Sequence, residues 1–154
     1  MNGHRIGLER LVQARVERVW EVLTDVAHAD QTLSGVTRVE LITEGPYRVG
    51  TRWRETRRMF GKEATEQMQV TVVETPTRTV IEADSSGIHY VTEFMLAGSG
   101  ADATLLAMSF TAVQGQANLL QKALWRLFGR LGAKASEKMM AKDLQDIAAR
   151  AERP

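Results

Sequence analysis

The stretch Trp53-Arg54-Glu55-Thr56-Arg57-Arg58-Met59 alternates like a β-strand, which puts Trp53, Glu55, Arg57 and Met59 on one face. An acid and a base beside two large apolar side chains have two readings. If Trp53 and Met59 point into the core, Glu55 and Arg57 follow them, and buried charges cost several kcal/mol unless they are paired and hydrogen-bonded. If the strand faces the other way, the same residues form a solvated charge ladder. On the following strand the parity of Met68 and Val70 carries Glu66 to their face, and Tyr90 further along brings a hydroxyl. Glu55, Arg57, Glu66 and Tyr90 are therefore candidate catalytic residues. Gathered inside, they would form a polar pole able to orient a carboxylate, a phenol or an enol. His89 is a fifth candidate: it follows the turn residues Ser85, Ser86 and Gly87, where an imidazole at a strand mouth can act as acid or base.

Other chemistry is excluded more than suggested. His4, His28 and His89 lack HxxxH or HxH spacing and the chain has no cysteine, so no metal site, disulfide or thiolate nucleophile is expected. No GxSxG, Walker or dinucleotide glycine motif is present, and no cofactor is implied. Twenty Lys and Arg against nineteen Asp and Glu leave a net charge of +1, which gives no reason to expect nucleic acid. A local basic ridge does exist. Lys122, Arg126, Arg130, Lys134 and Lys138 run beside Leu120, Leu124, Leu127, Phe128 and Leu131, a pattern that fits either an anionic membrane surface or a buried helix with a solvated edge. The N-terminus lacks an apolar signal region and no run of apolar residues is long enough to span a bilayer, so a cytoplasmic monomer or homodimer is expected.

The elements that must position these groups follow from periodicity. The 154 residues suit a single domain (1–154), large enough to bury about 70% of its unfolded surface. Residues 4–12 alternate as a first strand. Val16, Val19, Trp20, Leu23, Val26 and Ala27 then recur at helical spacing, and residues 29–35 read as a second short helix or turn. Six alternating segments follow, at 36–44, 50–60, 62–74, 78–83, 88–97 and 103–113, separated by glycine, proline and serine turns that make neighbours of successive strands. From Gly115 to about Arg150 the composition favours one long helix, with Gly129 and Gly132 marking a point where it can break. The order is that of an α+β domain.

Three phrases carry a resemblance across nearly the whole chain: Val19-Trp20-Glu21-Val22-Leu23-Thr24-Asp25, Val49-Gly50-Thr51-Arg52-Trp53-Arg54 and Asp143-Leu144-Gln145-Asp146-Ile147. With this order of elements, the sequence resembles the START-like (SRPBCC) helix-grip superfamily, and within it the bacterial polyketide cyclase/dehydrase and lipid-transport proteins. The resemblance implies a curved antiparallel sheet of about seven strands wrapped around a long C-terminal helix, with an apolar groove between them. It leaves activity open, since the superfamily spans carriers, enzymes and chaperone co-factors.

In such a groove, apolar parity selects the lining. The last two strands offer Tyr90, Thr92, Phe94 and Leu96, then Leu106, Met108 and Phe110. Ile81, Val39, Leu41, Met68, Val70 and Val72 join from the other strands, with Trp53 and Met59 from the third. On the long helix Trp125, Gly129, Gly132, Ala133, Ser136, Met140, Leu144 and Ile147 share a face of small volume from Gly129 to Ser136. That face implies either a cavity, with Trp125 and Met140 at its edges, or close backbone packing. The ligand-binding candidates are thus Trp53, Met59, Met68, Val70, Tyr90, Phe94, Met108 and Phe110 from the sheet, and Trp125, Gly129, Ala133, Ser136 and Met140 from the helix. Three functions remain open: a carrier of a small apolar ligand such as a lipid, polyketide or aromatic metabolite; a cyclase/dehydrase-type enzyme; and a protein-interaction module.

Overall fold

The computed structural model describes the backbone of residues 3–59, 61–85, 87–114 and 119–154, and the side chains of residues 5–58, 61–85, 87–113 and 134–154. The side chains of Met59, Trp125, Gly132 and Ala133, the site at Gly129, and the row from Leu120 to Leu131 lie outside the described side chains. Phe60, expected to close the third strand, lies outside the described residues altogether.

The chain runs β1 (Gly3–Val12), α1 (Val16–Thr24), a 3₁₀ turn (Val26–His28), α2 (Ala29–Thr32), β2 (Val36–Leu41), β3 (Arg52–Met59), β4 (Lys62–Glu74), β5 (Arg78–Ser85), β6 (Ile88–Gly98), β7 (Thr104–Gln114) and α3 (Leu119–Ala151). The strands form one antiparallel sheet in the order β1, β7, β6, β5, β4, β3, β2. This is the helix-grip arrangement, a curved sheet around the last helix. Short turns make each strand from β2 to β7 the neighbour of the next, as expected. The β5–β6 hairpin needs Gly87, whose φ of +77° lies where other residues are strained.

Three local expectations are corrected. The second strand stops at Leu41, because the amides of Ile42 and Thr43 both donate to the Arg52 carbonyl and the Arg52 amide donates to Thr43 Oγ1. Residues 42–51 form a loop, and β3 starts at Arg52. The long helix does not break at Gly129 and Gly132 but runs unbroken for 33 residues; each glycine costs about 1 kcal/mol against alanine, and the helix formers around them absorb it. Val72 does not face inward. The pairing jumps from Val70↔Ile81 to Val72↔Val80, leaving Thr71 as an extra residue, so Val73 rather than Val72 joins the inner face beyond that point.

The core lies at one end of the sandwich. Val12, Phe94, Leu96, Leu106 and Met108 on the inner face of the sheet pack with Val19 and Val22 of α1 and with Met140, Leu144, Ile147, Ala148 and Ala151 of α3. The spacing 140, 144, 147, 148, 151 is a helical stripe, which is why the second half of α3 seats so completely. Its terminus is also clasped. Arg18 donates to the carbonyls of Arg150 and Ala151, the Gln13 amide donates to Glu152, and the Ser34 amide and hydroxyl both donate to Asp146. A guanidinium on the last carbonyls suits the negative end of the helix.

Leu106 has no exposed surface whereas its neighbour Leu105 is 37% exposed on the other face. Leu106→Ala is expected to cost about 2–5 kcal/mol in urea unfolding, and Leu105→Ala less than about 1 kcal/mol.

Candidate functional site

The cross-strand register decides the orientation of the charged strand. Trp53 pairs with Met68, Glu55 with Glu66 and Arg57 with Ala64, while on the other side Val39 faces Glu55 and Leu41 faces Trp53. Directly opposed residues share a face. Met68 continues through Ala83 to Tyr90, so Trp53, Glu55, Arg57, Glu66 and Tyr90 all project toward α3. The solvated charge ladder is not formed. Glu55 is 6% exposed and Trp53 2%, although Leu41, near the sheet edge, remains half exposed.

The buried charges are satisfied by a partner from the helix. Arg57 Nη1 and Nη2 donate to Asp143 Oδ1 and Oδ2 at 3.2 and 2.9 Å, and its Nε donates to Glu55 Oε2 at 2.9 Å. This is fork-on-fork recognition, the strongest form an Arg–carboxylate pair takes. Burial works against the Arg57 charge, but Asp143 and Glu55 outweigh it and hold the guanidinium protonated well above its ordinary range. The sequence marks Asp143 only as part of the phrase Asp143 to Ile147 and not as a candidate site residue. The signal was there: it lies three residues after Met140 and four before Ile147, on the buried stripe, where a carboxylate requires a cation.

Glu66 sits apart from that pair. Burial raises its pKa, Glu55 opposite it adds to the rise, and a hydrogen bond from Ser85 and the more distant Arg57 charge pull it back. Tyr90 is likewise raised, by burial first and then by the Glu66 charge. The Tyr90 ring stacks on Phe110 with centroids 5.4 Å apart and planes at 20°. A carboxyl with raised proton affinity beside a phenol held in its neutral form can exchange protons with a bound enol or carbonyl.

The other expected residues fall into two groups. Val70, Phe94, Met108 and Met140 are buried, the last three of them in the packed core, and Ser136 is half-buried. His89 is on the outer face, opposite in parity to Tyr90. Its Nδ1 and Nε2 lie 2.7 Å from Asp84 Oδ1 and Glu82 Oε1, hydrogen bonds that raise its pKa, so it stands away from the inner cluster. Lys134 and Lys138 of the basic ridge are exposed. Among the described residues no helix is long and apolar enough to cross a membrane, and no group of His, Asp and Glu is arranged to hold a metal ion.

The burial of the inner face is uneven. It is closed at Phe94, Leu96, Leu106 and Met108, and closed again beneath the 42–51 loop, where Tyr47 packs edge-on against Trp20 and its hydroxyl lies 2.7 Å from Thr79 Oγ1. Burial pushes the Tyr47 pKa up to about 12 against that hydrogen bond. Toward the other end Met68, Ile81, Tyr90, Thr92 and Phe110 are only partly covered.

A family model described as polyketide cyclase / dehydrase and lipid transport matches residues 4–152. Among solved structures, the Zhui aromatase/cyclase from Streptomyces sp. R1128 superposes with a TM-score of 0.84 at 18% identity, covering 99% of this chain and 95% of that one. A START superfamily protein from Mycobacterium smegmatis gives 0.78 at 12% identity, with 97% of each chain covered. A norcoclaurine synthase point mutant from Thalictrum flavum gives 0.72 at 15%, covering 99% of this chain and 98% of that one. At these identities the likeness is one of fold. No curated protein sequence matches this one.

Two outcomes follow from the charges. Arg57→Met leaves Glu55 and Asp143 buried without a cation and is expected to cost about 3–5 kcal/mol in urea unfolding, whereas replacing Glu55, Arg57 and Asp143 together with Leu, Met and Leu should cost less than Arg57→Met alone. Glu66 holds its proton more tightly in the folded chain than in the unfolded one, so its contribution to stability falls as pH rises through its folded pKa. Glu66→Gln should therefore raise the melting temperature at about pH 8, and the gain should vanish near about pH 4, where both states are protonated.

Proposed function

Because this chain belongs to the polyketide cyclase/dehydrase and lipid transport family, we propose that it binds a small hydrophobic molecule, of the lipid, polyketide or aromatic-metabolite kind, between the inner face of the sheet and α3. The observation that carries this is the uneven burial of that face. A sheet surface packed solely for stability would be covered throughout, whereas here Met68, Tyr90 and Phe110 stay partly open beyond the closed region around Phe94 and Met108. The stacked rings of Tyr90 and Phe110 offer a flat apolar wall, and the charged cluster beside them supplies the few polar groups that orient a ligand in an otherwise apolar site.

A second reading, catalysis of the cyclase or dehydrase type, is favoured by one pairing in particular. Glu66 and Tyr90 lie on the same inner face, the Glu66 charge adds to the rise in the Tyr90 pKa, and both groups are shifted toward the neutral form. Tyr90 would donate to a developing enolate while Glu66 takes the proton from carbon, each such contribution being worth about 10²–10⁴ in rate. A carrier needs neither group.

Titration with a neutral solvatochromic naphthalene ketone is expected to show saturable binding in about the micromolar range, corresponding to about 8 kcal/mol. Tyr90→Ala should weaken it by about tenfold or more, since it removes one ring of the stacked wall. Absence of saturable binding, or unchanged binding in Tyr90→Ala, would sink the proposed site. Native mass spectrometry of freshly purified protein should retain a small apolar adduct that identifies the ligand.

A further inference from the structure

Among the described residues the inner cluster holds more negative charge than positive. Among the described residues Glu55, Glu66 and Asp143 share one guanidinium, and Arg57 has already committed its Nε to Glu55 and both terminal nitrogens to Asp143, leaving Glu66 apart. An incoming carboxylate would meet a cation that is more than neutralised, together with a third acid. That reverses the expectation that the polar pole could hold a carboxylate. Glu66, by contrast, has no cation at ion-pair distance among the described residues, and it lies directly across the strands from Glu55. Like charges in that position destabilise a sheet. A pair of acids facing one another inside a ligand groove is a place where a bound cation would relieve strain already present in the unliganded protein.

A second observation points to the same region independently. Trp53 is 2% exposed, lies on the same face one row from Glu55, and its indole Nε1–H has no hydrogen-bond partner among the described residues. Buried polar groups are nearly always satisfied, and an indole N–H can only donate. It therefore calls for an acceptor atom about 7 Å along β3 from the carboxylates, twice the rise per residue of a strand. Tyr90, partly exposed on the same inner face, adds an aromatic quadrupole that attracts cations.

Building on the binding reading above, we propose that the preferred ligand is an apolar amine: a protonated nitrogen held by Glu66 and Glu55 on a hydrophobic, preferably aromatic, skeleton, with an oxygen or other acceptor within reach of Trp53. Acidic ligands are disfavoured by the same groups.

Three probes with one skeleton separate the possibilities: 2-naphthylmethylamine, 2-naphthylmethanol and 2-naphthoate, each titrated calorimetrically into the full chain. The amine is expected to bind about tenfold tighter than the alcohol, and the carboxylate weakest of the three. Glu66→Gln should bring the amine-to-alcohol ratio to about one, while Glu63→Gln, on the exposed part of β4, should leave the ratio as it is. If the carboxylate binds as tightly as the amine, or the ratio survives in a folded Glu66→Gln protein, the amine preference is wrong and the hydrophobic site stands. If none of the three binds, both readings fail together. Should Glu66→Gln not fold, the wild-type order of the three probes decides alone.

Discussion

The bidentate contact between Arg57 and Asp143 is the joint between the two layers of this molecule. It is the place where β3, one strand in from the sheet edge, is tied to the helix by directional bonds instead of by apolar surface alone. Apolar stripes tolerate small rotations and slips, but a guanidinium fork on a carboxylate does not. With Asp143 over Arg57, the stripe of Met140, Leu144 and Ile147 falls into the core and Asp146 reaches Ser34. Such a pair contributes little net stability once desolvation is counted, and its physical effect here is to select one rotation and one axial position of α3.

Two territories share the inner face. On one side, hydrophobic packing is complete and leaves no room for anything but protein. On the other, Tyr90, Phe110 and Met68 retain accessible surface, and Glu66 has no cation at ion-pair distance among the described residues. A chain optimised for stability alone would have filled the first territory and neutralised the second. Retention of a partly open aromatic wall on the same face as Glu66, a carboxyl not ion-paired among the described residues, is the kind of local inconsistency that functional sites show.

Much of this was legible from the residues. Alternation and turn residues placed all seven strands in order, and strand parity alone put Glu55, Arg57 and Glu66 on the face of Trp53 and Met68. Parity could not say which face was inside, because the apolar and charged members of β3 argue in opposite directions. The deciding residue, Asp143, is distant in sequence from Arg57 and declares itself only through its place on the α3 stripe. Thr71 defeats simple alternation, since one extra residue reverses every side chain beyond it, and Val72 carries no mark that distinguishes it from Val73. His89 and Tyr90, adjacent in sequence, illustrate the same rule in reverse: one step along a strand moves a side chain to the opposite side of the molecule.

The seating of residues 140–151 has a consequence for how the domain comes into being on the ribosome. The chain is made from its N-terminus, at about 5–20 residues per second, so the whole sheet is synthesised before the stripe that covers its inner face. Phe94, Leu96, Leu106 and Met108 must wait for Met140, Leu144 and Ile147, and those last residues must first clear the exit tunnel. The nascent chain therefore passes through an interval in which an apolar sheet face and its buried acids stand open. That face is covered once the stretch of α3 that carries Asp143 arrives over Arg57.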